Sequence, residues 1–332
     1  METVKLTLCP LSAFGTRLVG DTLFGQLCWA VRNRFGEDRL RELLAGYTEN
    51  RPYAVISDAF PSGYLPRPSL PQHWFEEVAD EDRKAVKKRA WLPIDKFEEP
   101  LAAWLSHCKA GGEIPGAAPL SRPQAHNTID RRTGTTGTDQ FAPYAMSQLW
   151  FGQDLRRCGQ RESGSDSSPE VRLDIYVVVD ETRLGCEDLR LLLSDMGSLG
   201  FGRDASIGLG KFRLDHLENV ALPGQQEADA WMTLAPCAPQ RLGFDALRSF
   251  YQVFTRFGRH GDIGVYGPNP FKSPVLLAQT GAVLSPYKYE STAFVGQGLG
   301  GDGSLSRSIP GTVQQGYAPV VGIRLPVQEA AP

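Results

Sequence analysis

The chain has 332 residues, 41% hydrophobic and 22% charged, which is the composition of a folded protein and excludes a disordered one. Because 35 Lys and Arg stand against 38 Asp and Glu, the net charge is −3, and any nucleic-acid contact must lie on a local basic surface. The 6 Cys and 5 His residues have no zinc-ligand spacing, so no metal or cofactor is predicted. No signal peptide or membrane span is predicted either, and a reducing cytoplasm is the expected location.

The N-terminal segment is predicted to form a strand, a helix and a second strand. Apolar residues alternate over 4–8, which is the period of a half-buried strand. Asp21 or Thr22 can cap a helix that runs to about Phe35 with its apolar residues in one stripe. Residues 53–60 have the composition of the next strand.

The connection between the first strand and the helix is a possible phosphate cradle. Gly15, Gly20 and the amides at the helix start can face an anion, with Arg17 beside them. An ordinary glycine-bearing strand–helix connection explains the same residues, so both interpretations stay open.

A rigid loop and a basic segment follow. The prolines of 61–68 force extended or turned backbone, from which Tyr64 and Arg67 can reach a partner. Residues 76–91 are predicted to be helical, with basic residues that form either a solvated or a binding face.

A polar arm is predicted between 111 and 150. Residues 111–119 form a small-residue linker, and 122–137 are polar, β-prone and almost free of core-forming residues. A strand over 140–151 returns to the body, so the segment is expected to project as a hairpin. An outside partner is plausible, since the fold does not need such an arm for its own stability. Residues 156–169 are a predicted flexible loop.

The next elements complete a β-α-β-β-α-β order. Residues 171–180 alternate as a strand, 189–196 carry a helical apolar stripe, and 211–220 form another strand. This order predicts an α+β, ferredoxin-like fold with insertions. Repeated strand–helix units are also typical of a doubly wound parallel sheet, but the strands and helices do not alternate regularly enough for one.

Four glycines lie within the turn 200–212 that separates this helix and strand. Turn amides can bind an anion, and Arg203 and Lys211 add positive charge. A tight turn that needs positive φ values is the simpler explanation, and it stays open.

A second, strand-rich region is predicted after a boundary near 223–227, which gives domains 1–222 and 223–332. Its segment 254–261 interleaves aromatic and basic residues, which suits phosphate pairing and stacking on unpaired bases. An inter-domain ion pair explains the same basic residues equally well. A second glycine-rich loop, 294–306, is expected between two strands.

These segments together resemble RAMP-superfamily proteins of CRISPR systems, in particular the subunit that caps the crRNA 5′ handle in type III-A (Csm) effector complexes. The resemblance extends from about Leu6 to Leu325. Its motifs are 12–16 with 20–25, 57–61 with 64–68, 126–137, 200–212, 255–261 with 269–272, and 316–321.

The resemblance implies a modified ferredoxin-like (RRM-like) RAMP fold with an inserted β-hairpin thumb and a second, smaller strand-rich, ferredoxin-like region. It implies a non-catalytic scaffold that grips the crRNA handle between the large polymerase-like signalling subunit and the backbone RAMP subunit, with only indirect contact to target RNA. The RNA-binding residues it implies are Phe14, Gly15, Arg67, His126, Asn127, Arg131, Arg203, Lys211, Arg256, Arg259, His260, Lys272 and Arg307. Neighbours in the same segments complete the candidate set: Arg17, Gly20, Arg132, Phe201, Gly202, Gly208, Gly210, Gly298 and Ser304.

Two other classes of function remain open. A metal-independent endoribonuclease would use His126 as general base and Arg131 or Lys211 to stabilise the phosphate, and a related idea centres cleavage on Asp130. A purely protein-binding adaptor would use the glycine-rich segments only as turns.

Overall fold

The computed structural model describes residues 1–76, 83–114, 117–138, 141–152 and 171–326. Strands and helices alternate irregularly along the chain. The strands are β1 (Glu2–Pro10), β2 (Ala54–Ile56), β3 (Phe60–Pro61), β4 (Tyr64–Pro66), β5 (Arg89–Pro93), β6 (Lys109–Ala110), β7 (Leu120–His126), β8 (Tyr144–Trp150), β9 (Leu173–Val179), β10 (Phe212–Asn219), β11 (Ala230–Thr233), β12 (Val253–Arg256), β13 (Val275–Ala278), β14 (Val283–Leu284), β15 (Phe294–Gly300) and β16 (Val313–Ile323). The α-helices are α1 (Gly20–Phe35), α2 (Glu37–Leu44), α3 (Arg83–Lys87), α4 (Trp104–His107) and α5 (Cys186–Leu199).

The main sheet has the strand order β10-β1-β9-β2, and every neighbouring pair is antiparallel. Leu6 of β1 lies between Ile175 of β9 and Leu217 of β10. The apolar stripes of α1 and α5 join the same buried core as these strands. The prediction of a mixed α+β architecture is therefore confirmed.

Helix α1 begins differently from the prediction. Its N-cap is Val19, without a side-chain hydrogen bond to the helix, and neither Asp21 nor Thr22 caps it. The Thr22 hydroxyl donates to the Val19 carbonyl at 2.7 Å, while the Asp21 carboxylate is buried in an ion pair with a distant arginine. A long-range partner has therefore replaced the local capping bond.

The predicted helix over 76–91 is wrong at its C-terminal end. Within the described residues, α3 ends at Lys87, and β5 begins at Arg89. Trp91 pairs with Pro66 of β4 on one side and with Lys109 of β6 on the other. This sheet pairing outweighs the local helical propensity of the segment. Residues 77–82, and the whole of the loop predicted over 156–169, lie outside the described residues.

Strands β7 and β8 form the antiparallel hairpin predicted for this segment, here named the arm (residues 120–150 as described). Its register runs from Leu120 opposite Trp150 to His126 opposite Tyr144. All of β7 except its last residue is exposed, so the arm buries little apolar surface.

The C-terminal region contains a second antiparallel sheet of order β14-β11-β16-β15. The glycine-rich segment predicted as a loop over 294–306 is strand β15 as far as Gly300, because its backbone pairs with β16. The loop proper begins after this residue.

The two regions share buried surface. One apolar cluster combines Phe60, Leu92 and Tyr176 from the first 222 residues with Met232 and Val321 from the later ones. The domain boundary near 223–227 stays a prediction. None of the helices in the described ranges is long and apolar enough to cross a membrane.

Candidate nucleic-acid interface

Three segments meet at one side of the main sheet: the β1–α1 connection (residues 11–19), the glycine loop (residues 200–211) and the inner half of the arm. The Gly210 amide donates to the Ala13 carbonyl at 2.7 Å. Phe14 and Leu149 exchange two backbone hydrogen bonds, both at 2.8 Å, which attach the arm to the connection. The three segments are therefore held as a single surface.

The glycines of this surface serve close approach of the chain to itself. A Cβ on Gly210 would lie 2.1 Å from the Phe201 carbonyl oxygen, and the φ of Gly210 is +73°. A Cβ on Gly15 would lie 2.4 Å from the Arg203 carbonyl oxygen. These contacts support the tight-turn interpretation, and they also pre-organise the backbone next to the basic residues.

The backbone and the side chain of Arg203 both make hydrogen bonds within the protein, and part of the side chain faces solvent. Its backbone amide donates to the Thr16 hydroxyl at 3.0 Å, and its guanidinium donates to the Ser147 carbonyl at 2.5 Å. The guanidinium also donates to the Asp204 carboxylate at 3.1 Å. Arg203 thus bridges the glycine loop to the arm, and its charge is partly neutralised.

The exposed cations of the surface lie beside Arg203 and along the arm. Arg17 and Lys211 are exposed at its base, and Arg131 and Arg132 are exposed at the tip of the arm. Asp130 lies 3.8 Å from Arg132 and is partly buried. Among the described residues of the arm the arginines outnumber the acids, which gives the local basic character that the net charge hides.

His126 lies at the end of β7. Its ring stacks on Tyr144 with centroids 5.3 Å apart and planes 13° from parallel. Its Nε2 is buried and has no hydrogen-bond partner among the described residues. Asn127, next in the chain, is exposed.

Arg256 is paired with a carboxylate of its own protein. Its guanidinium donates to both carboxylate oxygens of Asp21, at 2.7 and 3.0 Å, and stacks over the Phe254 ring at 4.9 Å. The Asp21 side chain is only 2% exposed. Burial raises the pKa of Asp21, and the Arg256 charge opposes that shift. The inter-region ion pair that the sequence left open is the arrangement observed.

His260 and Lys272 lie close to that ion pair. His260 is buried, and its Nε2 lies 2.8 Å from the Ser306 hydroxyl. Burial and then the Lys272 charge lower the pKa of His260. Burial also lowers the pKa of Lys272, while Cys28 and Asp21 oppose this. The hydrogen bonds of His260 lie within the C-terminal region, whereas Arg259, over the Phe271 ring at 5.8 Å, is exposed.

The predicted phosphate cradle at the start of α1 already holds a carboxylate. The Gly20 amide donates to Asp58 Oδ1 at 2.8 Å, and the Thr280 hydroxyl donates to Asp58 Oδ2 at 2.6 Å. Burial raises the pKa of Asp58 to about 7, the Asp21 charge adds to the increase, and these two hydrogen bonds oppose it. Asp58 thus occupies the place expected for a phosphate.

The remaining candidates are dispersed. Phe14 and Phe201 are fully buried core residues, so neither ring can stack on a base. Gly298 lies in β15, and the Ser304 hydroxyl and amide both bind Asp302. The other positions are Arg67 on the proline-rich loop, Arg307 exposed after β15, Gly202 against Thr16, and Gly208 with open space around it.

Sequence reasoning missed several polar residues that fix the site. Thr16 accepts the Arg203 amide, and the side-chain amide of Gln315 exchanges hydrogen bonds with the Ile56 backbone at 2.9 and 2.7 Å. Asp58 lies in the motif 57–61, but the sequence predicted no role for its carboxylate. The partners of all three are remote in the chain, so no local pattern marks them.

No protein-family model and no curated protein matches the chain significantly. Solved structures do match. A chain of the Csm1–Csm4 cassette in complex with pppApA is 17% identical, with 99% of this chain and 100% of that chain covered and a TM-score of 0.58. A chain of the same cassette in complex with cA4 is 18% identical over 99% and 100% of the two chains, also at 0.58.

A chain of the Csm3–Csm4 subcomplex in the type III-A CRISPR-Cas interference complex is 12% identical over 95% and 99%, at 0.49. At these identities the cassette structures show the fold. The chain therefore has the fold of a protein in the Csm1–Csm4 cassette, and the resemblance to Csm RAMP proteins is confirmed at the level of the fold.

Proposed function

We propose that the chain is a non-catalytic crRNA-binding scaffold subunit of a type III-A CRISPR effector complex in the cytoplasm. It caps the 5′ repeat-derived handle and joins the large signalling subunit to the backbone filament. The observation that carries the proposal is the locked surface in which the glycine loop, the β1–α1 connection and the arm meet.

The arm supports an RNA partner on physical grounds. It exposes nearly all of β7 and carries Arg122, Arg131 and Arg132, with Asp130 as the single acid among its described residues. It contributes little burial to the fold, so the exposed strand β7 is accessible to a partner outside the chain. Arginine pairs well with phosphate, which favours nucleic acid over a neutral protein surface.

The fold supports the same proposal. Four of the five main-sheet strands have the order expected of a ferredoxin-like β-α-β-β-α-β unit, with β10, β1, β9 and β2 as its fourth, first, third and second strands, while the short β3 also pairs with β9. The arm is inserted between the second and third of these strands, as a thumb would be. The matched cassette joins Csm4 to Csm1, which motivates the proposed contact with the large subunit.

We propose a non-catalytic role because His126 lacks the surroundings of a general base. Its Nε2 has no partner in the described part of the chain, and its ring is stacked on Tyr144. A base in nucleophilic catalysis is normally oriented by a third group. Cleavage of repeat RNA by the purified chain, abolished in His126→Ala, would replace the scaffold proposal with the endoribonuclease.

The binding test uses the double variant Lys211→Ala with Arg131→Ala. A labelled repeat-derived handle oligonucleotide is titrated at several salt concentrations, and handle protection from nuclease is measured in the assembled complex. Loss of two phosphate contacts on a single strand should lower the slope of log K against log salt by about 1.4. The matched control is Arg41→Ala with Arg190→Ala, two exposed arginines on α2 and α5.

An unchanged slope and unchanged handle protection in the double variant would contradict the proposal. If the variant still assembled with its neighbours, the adaptor that binds only protein would explain the result.

A further inference from the structure

A cleft of about 720 Å³ shares no lining residue with the surface described above. One wall is the proline-rich loop 66–71 with residues 87–91, and the other is the segment 244–252 of the C-terminal region. Its volume lies within the range of small-molecule sites.

The cleft is positively charged. Arg67, Lys87 and Arg89 contribute cations, and none of the lining residues is acidic. Arg89 donates to the Leu105 carbonyl at 3.2 Å. The side chains of Arg67 and Lys87 have no hydrogen bond or ion pair with any residue in the described ranges. Two cations are therefore available to an anion that enters the cleft.

Aromatic rings line both walls and are held by neighbouring rings. Trp91 packs against Phe60 at 6.2 Å, and Phe250 meets Trp74 edge-on at 4.8 Å. Tyr251 is 38% exposed and is one of the rings that line the cleft. Fixed aromatic faces bind planar groups at low entropic cost.

The proline-rich wall is fixed as well. The Arg67 amide donates to the Ala90 carbonyl and the Ser69 amide to the Gly281 carbonyl, both at 2.8 Å. The prolines on either side of Arg67 restrict its backbone further. The backbone that carries Arg67 is thus held in place before a ligand arrives.

We propose that this cleft binds a nucleotide, with the base against the aromatic rings and the phosphate on Arg67 and Lys87. A nucleotide combines a planar ring with an anion, which is the pairing that the lining presents. An acidic peptide would pair with the cations of the cleft, but it would stack less well on the aromatic rings. The ligand is either a free nucleotide or one nucleotide of a single-stranded RNA.

The inference stands without the proposed function, because the cleft shares no residue with the glycine loop or the arm. Variants at Lys211 and Arg131 should therefore leave nucleotide binding here unchanged. Failure of one proposal is then distinguishable from failure of the other.

The test measures binding of mant-ATP, and of a fluorescein-labelled eight-residue oligo(U), to the full-length chain. Arg67→Ala with Lys87→Ala should weaken binding at least tenfold, and Tyr251→Ala at least fivefold. Tyr251→Phe, which keeps the ring, should retain wild-type affinity. Arg41→Ala and Tyr266→Ala, at exposed positions outside the cleft, should change nothing.

Cleft-dependent binding of mant-ATP alone identifies a free nucleotide, and cleft-dependent binding of oligo(U), with or without mant-ATP, identifies a nucleotide of RNA. Crosslinking of 8-azido-ATP to peptides containing Trp91 or Tyr251 would support the same site. The proposal is overturned if the cleft variants bind both probes like wild type. It is also overturned if an alternating Glu-Tyr octapeptide binds the cleft at least tenfold more tightly than both.

Discussion

Asp58, a partly buried carboxylate, offers a sharp test of the contacts at the start of α1. Its carboxylate accepts hydrogen bonds from the Gly20 amide and the Thr280 hydroxyl, and burial raises its pKa from 3.8 to about 7. Asn at this position can accept from the same amide, and its NH₂ can donate to the same hydroxyl. Asp58→Asn therefore removes the ionisation and keeps the hydrogen bonds.

The size of the effect follows from the two pKa values. Because the folded-state pKa is raised, the unfolded state loses its proton first as pH increases, and the free energy of unfolding falls between about pH 4 and pH 7. The stabilisation from the protonated carboxyl is complete below pH 4 and lost above pH 7. With 1.36 kcal/mol per pKa unit, the loss between pH 5 and pH 8 is about 2–3 kcal/mol, taken as an upper limit.

Urea denaturation of wild type and Asp58→Asn at pH 5 and pH 8 measures this difference. We expect the variant to gain about 2–3 kcal/mol relative to wild type between the two pH values. Asp38→Asn, at a side chain 99% exposed, is the matched control and should follow wild type. Parallel pH dependence in wild type and Asp58→Asn would refute the placement of the carboxylate in a desolvated site.

Three further predictions concern the contacts that hold the site, each measured by urea denaturation at pH 7. Asp21→Ala should lower the free energy of unfolding by about 3 kcal/mol because it leaves Arg256 without its carboxylate, and a loss below 1 kcal/mol would show that the pair is not structural. Gly210→Ala should lower the free energy of unfolding by more than about 2 kcal/mol because its Cβ would lie 2.1 Å from a carbonyl oxygen. Gly208→Ala, where the Cβ would point into open space, should lower it by only about 1 kcal/mol, and equal losses in the two variants would contradict the glycine-loop geometry. Gln315→Ala should cost about 2–3 kcal/mol because it breaks two buried hydrogen bonds to a strand, and a neutral result would contradict that contact.

Local patterns predicted much of the fold. The stripe Leu189, Leu192, Leu193 and Met196 was recognisable because helical spacing alone brings these side chains to one face, and all four are buried. The arm was recognisable for the opposite reason, since 122–137 contain almost nothing that a core could use. Such signals need no knowledge of the rest of the chain.

The predictions from sequence are wrong where a residue remote in the chain determines the local structure. The string around Arg256 has the local composition of an RNA-binding segment, but its partner is Asp21, 235 positions away. The local sequence around Trp91 predicts the end of a helix, but Trp91 lies in β5, which pairs with β4 and β6. The glycines of 294–300 suggested a loop, although their backbone is matched to β16. A pattern within one segment does not show which remote segment pairs with it, or in which register.

The two hydrogen bonds between the Gln315 side chain and the Ile56 backbone also affect how a strand of another chain can pair with the main sheet. β2 lies at one rim of the main sheet, and a glutamine side chain already fills the Ile56 donor and acceptor there. At the other rim, β10 displays Arg213, Asp215 and Glu218, charges that deter an incoming strand. Continuation of the main sheet into a strand of another chain is therefore disfavoured at both rims.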